Sequence, residues 1–97
     1  MIKEYNKDTV IDFDNCILFF SNSVCAPCEV LESILKEFEN VMIYKINIDK
    51  YLDVAKNYDV TSLPTLKLFR KTINVYDIKG VRNSKDIRNI LKYYDMI

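Results

Sequence analysis

Cys16-Ile17-Leu18-Phe19-Phe20 is an unbroken apolar run, closed by Asp14-Asn15 on one side and Ser21-Asn22-Ser23 on the other. A run this short, bounded by polar residues, reads as a strand covered on both faces. Such a strand requires a layer above it and a layer below it. The next stretch supplies one of them. From Glu29 to Asn40, Val30, Leu31, Ile34, Leu35 and Phe38 recur at helical spacing. Glu29, Glu32, Ser33, Lys36, Glu37 and Glu39 fill the opposite face, and Glu32 and Lys36 form a favourable i,i+4 pair. Asn40 is a suitable stop. Strand, turn and amphipathic helix therefore follow in order.

The remaining segments extend the pattern. Met1 to Tyr5 reads as an edge strand. Asn6 to Phe13 reads as a short helix, with Asn6 or Asp8 as cap and Val10, Ile11 and Phe13 on one side. Val41 to Ile48 is a second strand, in which Tyr44, Ile46 and Ile48 share a face. Tyr51 to Tyr58 is a short helix with Leu52, Ala55 and Tyr58 inward. Val60 to Thr65 is a loop holding Pro64. Leu66 to Phe69 and Ile73 to Ile78 form a hairpin around Arg70-Lys71-Thr72, ended by Gly80. Ser84 caps a last helix with Ile87, Ile90, Leu91 and Tyr94 inward. The expected order is β-α-β-α-β-α-β-β-α. It is an α/β fold, a central mixed sheet flanked by helices on both faces, with residues 1–97 as a single domain.

Composition narrows the chemistry. Lys plus Arg and Asp plus Glu both count 14, so no net field draws the chain to nucleic acid or to a membrane surface. There is no histidine, which removes the usual acid/base at neutral pH and the commonest metal ligand. The first residues lack the apolar core of a signal peptide, and no run approaches bilayer length, so the expected location is cytoplasmic. In that compartment paired cysteines are more often catalytic or metal-binding than structural.

Cys25-Ala26-Pro27-Cys28 stands on the strand-to-helix turn. Two thiols at this spacing, at the start of a helix in an α/β pattern, are a redox arrangement. Pro27 falls in the first helical turn, where a missing N–H is tolerated. Zinc is the rival reading. It wants four ligands, commonly Cys or His, and only Cys16 is left as a third sulfur. Cys16 itself reads as a core residue of its strand.

Taken together, these blocks resemble the thioredoxin family over nearly the whole chain. Cys25-Ala26-Pro27-Cys28 opens the long helix. Lys45-Ile46-Asn47-Ile48-Asp49 is similar to the family's strand ending in Asp, and Thr61-Ser62-Leu63-Pro64-Thr65 to its Ile-Pro-Thr loop. Leu68-Phe69 and Gly80 stand at matching separations. The resemblance implies a thioredoxin fold and a dithiol–disulfide oxidoreductase that reduces protein disulfides. Cys25 is then the nucleophile and Cys28 the resolving cysteine, with Ala26 and Pro27 forming the active-site turn. It implies a cis Pro64, with Val24, Leu63 and Pro64 against the substrate and Lys45 and Asp49 in supporting positions. No cofactor and no metal are implied. The expected partners are disulfide-containing proteins and a thioredoxin reductase as electron donor, with the chain a monomer.

Several positions depart from the family pattern. Val24 and Ser21 replace tryptophans, Ala26 replaces a glycine, and Glu29 replaces a lysine. The family's buried Asp falls on Phe19, leaving Lys45 without its customary partner. Either Glu29, Lys45 or solvent then takes the Cys28 proton, or the resolving step is slower. These departures also fit a second reading, a thioredoxin-fold binding module dedicated to one partner.

Overall fold

The computed structural model describes all residues 1–97. Its strands are β1 (Ile2–Glu4), β2 (Asn15–Ser21), β3 (Met42–Asn47), β4 (Thr65–Arg70) and β5 (Ile73–Lys79), and its helices are α1 (Ala26–Leu35), α2 (Leu52–Asn57) and α3 (Ser84–Tyr93). The strands form one sheet in the order β1-β3-β2-β4-β5. β1 and β2 run parallel to β3, whereas β4 is antiparallel to both β2 and β5. The mixed sheet and its central apolar strand follow directly from the sequence pattern.

Side chains alternate across β2, and the alternation divides the core in two. Ile17 and Phe19 face one side, packed with Leu31, Leu35 and Cys28 of α1 and with Ile87 and Leu91 of α3. Cys16, Leu18 and Phe20 face the other, with Tyr44, Ile46 and Phe69. Tyr51, Val54 and Tyr58 from the α2 region, and Tyr5, Ile11 and Phe13 from the segment after β1, cover that second side. Every residue from Cys16 to Phe20 is fully buried, as a strand between two layers must be.

Four local expectations are corrected. Asn6 to Phe13 is not a helix but a loop of turns. Asn6 Oδ1 accepts the Asp8 N–H at 2.8 Å and Asp12 Oδ1 accepts the Asp14 N–H at 3.0 Å. These side chains take the N–H groups that a helix would need. The Tyr44 hydroxyl accepts the Asp12 N–H at 3.1 Å and ties the loop to β3. Secondly, α1 ends at Leu35. Beyond it the Glu37 and Phe38 N–H groups donate to the carbonyls three residues back, and this tighter turn carries Phe38 into the core. Thirdly, Val30 and Leu52 point outward, each 54% exposed. Lastly, Asn83 rather than Ser84 caps α3, its Oδ1 accepting the Asp86 N–H at 2.8 Å.

The β4–β5 turn has an external support. Lys71 and Thr72 both have positive φ, 53° and 67°, which a β-branched residue seldom adopts. Their N–H groups donate to Asp14 and Phe13 carbonyls at 2.7 and 3.0 Å. The loop before β2 thus holds the hairpin tip in place. Gly80, at φ +85°, ends β5 and donates its N–H to the Pro64 carbonyl at 2.9 Å.

Candidate active site

β2 delivers the chain to the site at Ser21, and α1 begins at Ala26. Between them the Asn22 side chain accepts the Val24 N–H at 3.1 Å, and Ser23 Oγ accepts a hydrogen bond from Asn47 Nδ2 at 3.1 Å. The loop is therefore tied both to itself and to the end of β3. Cys25 is the N-cap residue of α1, and its Sγ accepts the Cys28 N–H at 3.2 Å. Pro27 sits in the first turn, where no N–H is called for. The free N–H groups and the dipole of this helix end favour negative charge on the sulfur at the cap.

Cys25 and Cys28 are joined as a disulfide, with their Cα atoms 5.2 Å apart. The two sulfurs differ in access. Cys25 is half-buried between an exposed Val24 and an exposed Ala26-Pro27 pair. Cys28 is only 3% exposed and belongs to the core that holds Phe19, Leu31 and Leu35. One sulfur is thus open to a partner and the other is shielded by its helix.

The Leu63–Pro64 peptide is cis. Leu63 is half-buried and packs against both halves of the core, Pro64 is buried, and Thr65 Oγ1 donates to the Ser62 carbonyl at 2.8 Å. Asp49 lies in the exposed turn after β3, its N–H donating to Asn47 Oδ1 at 2.9 Å.

Lys45 is on β3 with Phe19 beside it on β2 and Glu4 beside it on β1. Its partners are carboxylates from elsewhere. Lys45 Nζ is 2.7 Å from Glu32 Oε1 and 3.6 Å from Glu4 Oε1. The Glu32 hydrogen bond holds the ammonium above the ordinary lysine range, against the opposing effect of burial. Glu32 is the residue that the sequence pattern misassigns. At i,i+4 it pairs with Lys36 on paper, whereas the structure turns it toward the sheet. The signal available was Lys45 itself, a strand lysine on the face that α1 covers.

Cys16 lies on the opposite face of β2, fully buried. Its burial, with the Asp12 charge adding to it, pushes the thiol up to about 12. It is a core side chain remote in character from the exposed sulfur of Cys25.

Comparison with known proteins agrees with this geometry. The thioredoxin family model matches residues 2–93. A thioredoxin of Chlamydia pneumoniae is 32% identical over 95 residues, covering 94% of this chain and 93% of its own. Thioredoxin H2 of Arabidopsis thaliana is also 32% identical over 95 residues, covering 94% of this chain and 66% of its own. Among solved structures, a mutant thioredoxin from Halobacterium salinarum NRC-1 superposes with a TM-score of 0.76 at 27% identity, covering 84% of this chain and 74% of that one. With its mixed five-stranded sheet, three helices and a Cys25–Cys28 pair that supports thiol–disulfide oxidoreductase chemistry, the chain belongs to the thioredoxin family.

Proposed function

We propose that the protein reduces disulfides of other proteins, acting as a monomer in the cytoplasm without a bound cofactor and regenerated by a thioredoxin reductase. The observation that carries this reading is the asymmetry of the pair. Cys25 is half-exposed at a helix N-cap with an N–H donating to its sulfur, and Cys28 is buried one turn along.

In the reduced protein the Cys25 thiolate attacks one sulfur of a substrate disulfide. A mixed disulfide forms and the other substrate sulfur leaves as a thiolate, which takes up a proton. Cys28 then loses its proton and its thiolate attacks the Cys25 sulfur. The Cys25–Cys28 bond forms, the mixed disulfide breaks and the second substrate thiol departs. The substrate gains two electrons and the cysteine pair gives up two. Val24, with 90% of its surface exposed, precedes Cys25, and in this reading it forms the substrate contact together with Leu63-Pro64, where an extended peptide can pair with backbone. Ala26 and Pro27 set the turn, and Asp49 stays a supporting residue of the loop after β3.

The test is reduction of a model protein disulfide with a thiol reductant or with a thioredoxin reductase. The wild type accelerates it and Cys25→Ser does not. Equal rates for the two proteins with every reductant would refute the reading. Cys28→Ser stops the cycle at the mixed disulfide. A range of trapped proteins supports a general reductase, and one trapped protein supports the dedicated partner module instead.

A further inference from the structure

Cys28 carries a problem that the dithiol reading leaves open. The residue is 3% exposed in the disulfide form, packed in one core with Phe19 and Leu31, so in the reduced protein solvent has little direct access to the proton it must lose. Burial also disfavours the thiolate. A nearby group must take the proton, and few candidates face it. Glu29 is the next residue in α1, and adjacent helical residues point to different faces. It is exposed. Lys45 is charged and hydrogen-bonded as a cation, so it has no lone pair to offer.

Glu32 meets the requirement. It is four residues beyond Cys28 in α1, which places the two on one face with Cβ atoms roughly 5–6 Å apart. A long helical side chain leans toward the N-terminus of its helix, which for Glu32 is the direction of the turn that holds Cys28. Its carboxylate is half-buried rather than solvated, at 27% side-chain exposure, and fixed at 2.7 Å by Lys45. Lys45 reaches it from the strand position beside Phe19, whose ring packs in the same core as Cys28.

Two cavities, of about 680 and 320 Å³, open at this pair, and Glu32, Lys36 and Lys45 line both. They give water a path to the carboxylate from outside. The other charges lining these cavities are Lys36, Glu29 and Glu39 of the α1 region, Glu4 of β1 and the N-terminal ammonium of Met1. Glu4 lies 3.6 Å from Lys45. When Glu32 is neutralised, the ammonium therefore keeps one counter-charge, which lowers the cost of holding a proton on Glu32.

We propose that Glu32 accepts the Cys28 proton in the resolving step, directly or through one water, and that Lys45 positions its carboxylate. The inference rests on the dithiol reading above. The proton moves from Cys28 Sγ to Glu32. The thiolate electron pair forms the bond to Cys25 Sγ, and the bond from Cys25 to the substrate sulfur breaks with its pair on the substrate. Glu32 then returns its proton to the departing thiolate or to water in the cavities.

The test separates the two attacks. The reduced full-length protein is mixed rapidly with an aryl disulfide that releases a coloured thiolate. The first release reports attack by Cys25 and the second reports attack by Cys28. In Glu32→Gln the second release slows by about 10- to 100-fold at neutral pH, and the first changes by less than about twofold. The variant's second release then climbs with pH, as Cys28 ionises unaided, and rejoins the wild type under alkaline conditions. Lys45→Gln keeps the carboxylate but frees it, and slows the second release by a smaller factor.

A second release with the wild-type rate and pH profile in Glu32→Gln overturns the proposal. So does an equal change in both releases with no change in pH profile, because that is what a loosened helix would produce. A wild type that gives only one release, or none, overturns the dithiol function itself.

Discussion

Cys16 offers a quantitative test of the sheet face opposite the candidate active site. Its thiol is fully buried among Leu18, Phe20 and Tyr44. Burial, reinforced by the Asp12 charge, raises it from the ordinary 9.0 to about 12. The unfolded chain has no such environment and ionises near the ordinary value. Between those two values the unfolded state binds fewer protons than the folded one, so stability falls as pH rises. The contribution is complete below pH 9.0 and is lost progressively toward about 12. Linkage gives a loss of at most about 2 kcal/mol by about pH 10.5, and about 1 kcal/mol after allowance for relaxation and water around the thiolate.

The assay is denaturant unfolding of the oxidised protein, wild type against Cys16→Ala, at about pH 8 and about pH 10.5. At the lower pH the wild type is the more stable, by about 1 kcal/mol for the buried sulfur removed. At the higher pH that advantage shrinks to nothing or reverses. Tyr58, raised first by its own burial and next by the Cys16 charge, titrates in both proteins; the burial effect is common to the two, and the coupling to Cys16 is part of the difference measured. Parallel curves for the two proteins would show that Cys16 ionises as freely in the fold as outside it, and the buried assignment would fail. Rapid alkylation of Cys16 in the native protein at neutral pH would refute it as well.

The remaining predictions concern the frame around the site. Leu31 is fully buried under Cys28, and Leu31→Ala removes about 2–5 kcal/mol, a fall in melting temperature of more than about 10 °C by calorimetry. A melting point within about 2 °C of wild type would mean that α1 is not clamped there. Asn83→Ala costs about 1 kcal/mol in chemical denaturation while Ser84→Ala stays within about 0.5, and the reverse order would restore Ser84 as the cap.

Sequence patterns exposed those features whose physics is local or strictly periodic. The unbroken apolar run of Cys16 to Phe20 is a local pattern, so a strand covered on both faces was readable, and the pleat then divides its side chains between the two halves of the core. The Cys25 turn was readable because a polar loop followed by a proline marks the first turn of a helix on local grounds alone. The errors arise where distant partners decide. Asn6 to Phe13 has helix-compatible spacing, yet the Asn6 and Asp12 side chains bind the backbone locally and Tyr44, far away in sequence, takes another N–H. Lys71 and Thr72 hold positive φ because Phe13 and Asp14 present carbonyls to them, and no property of a Lys-Thr pair announces that. Val30 and Leu52 sit at apolar positions of helical templates that are wider than the strip each helix buries.

Glu32 shows how the same limitation reaches function. An exposed i,i+4 pair with Lys36 is worth only a few tenths of a kcal/mol, so it holds a side chain weakly. Lys45 offers a half-buried ammonium, where charges are screened less by water and a pair is correspondingly stronger. The carboxylate turns to the sheet for that reason. Once there, it fastens α1 to β3 beside Phe19 and so helps to set the position of Cys28 above the sheet. Holding the helix and receiving the proton therefore fall on one side chain. Loss of the ion pair alone, as in Lys45→Gln, leaves the carboxylate in place and only frees it, so the second release slows by the smaller factor. Loss of the proton acceptor touches only the step in which Cys28 must ionise, and it leaves its mark in the pH profile of that step.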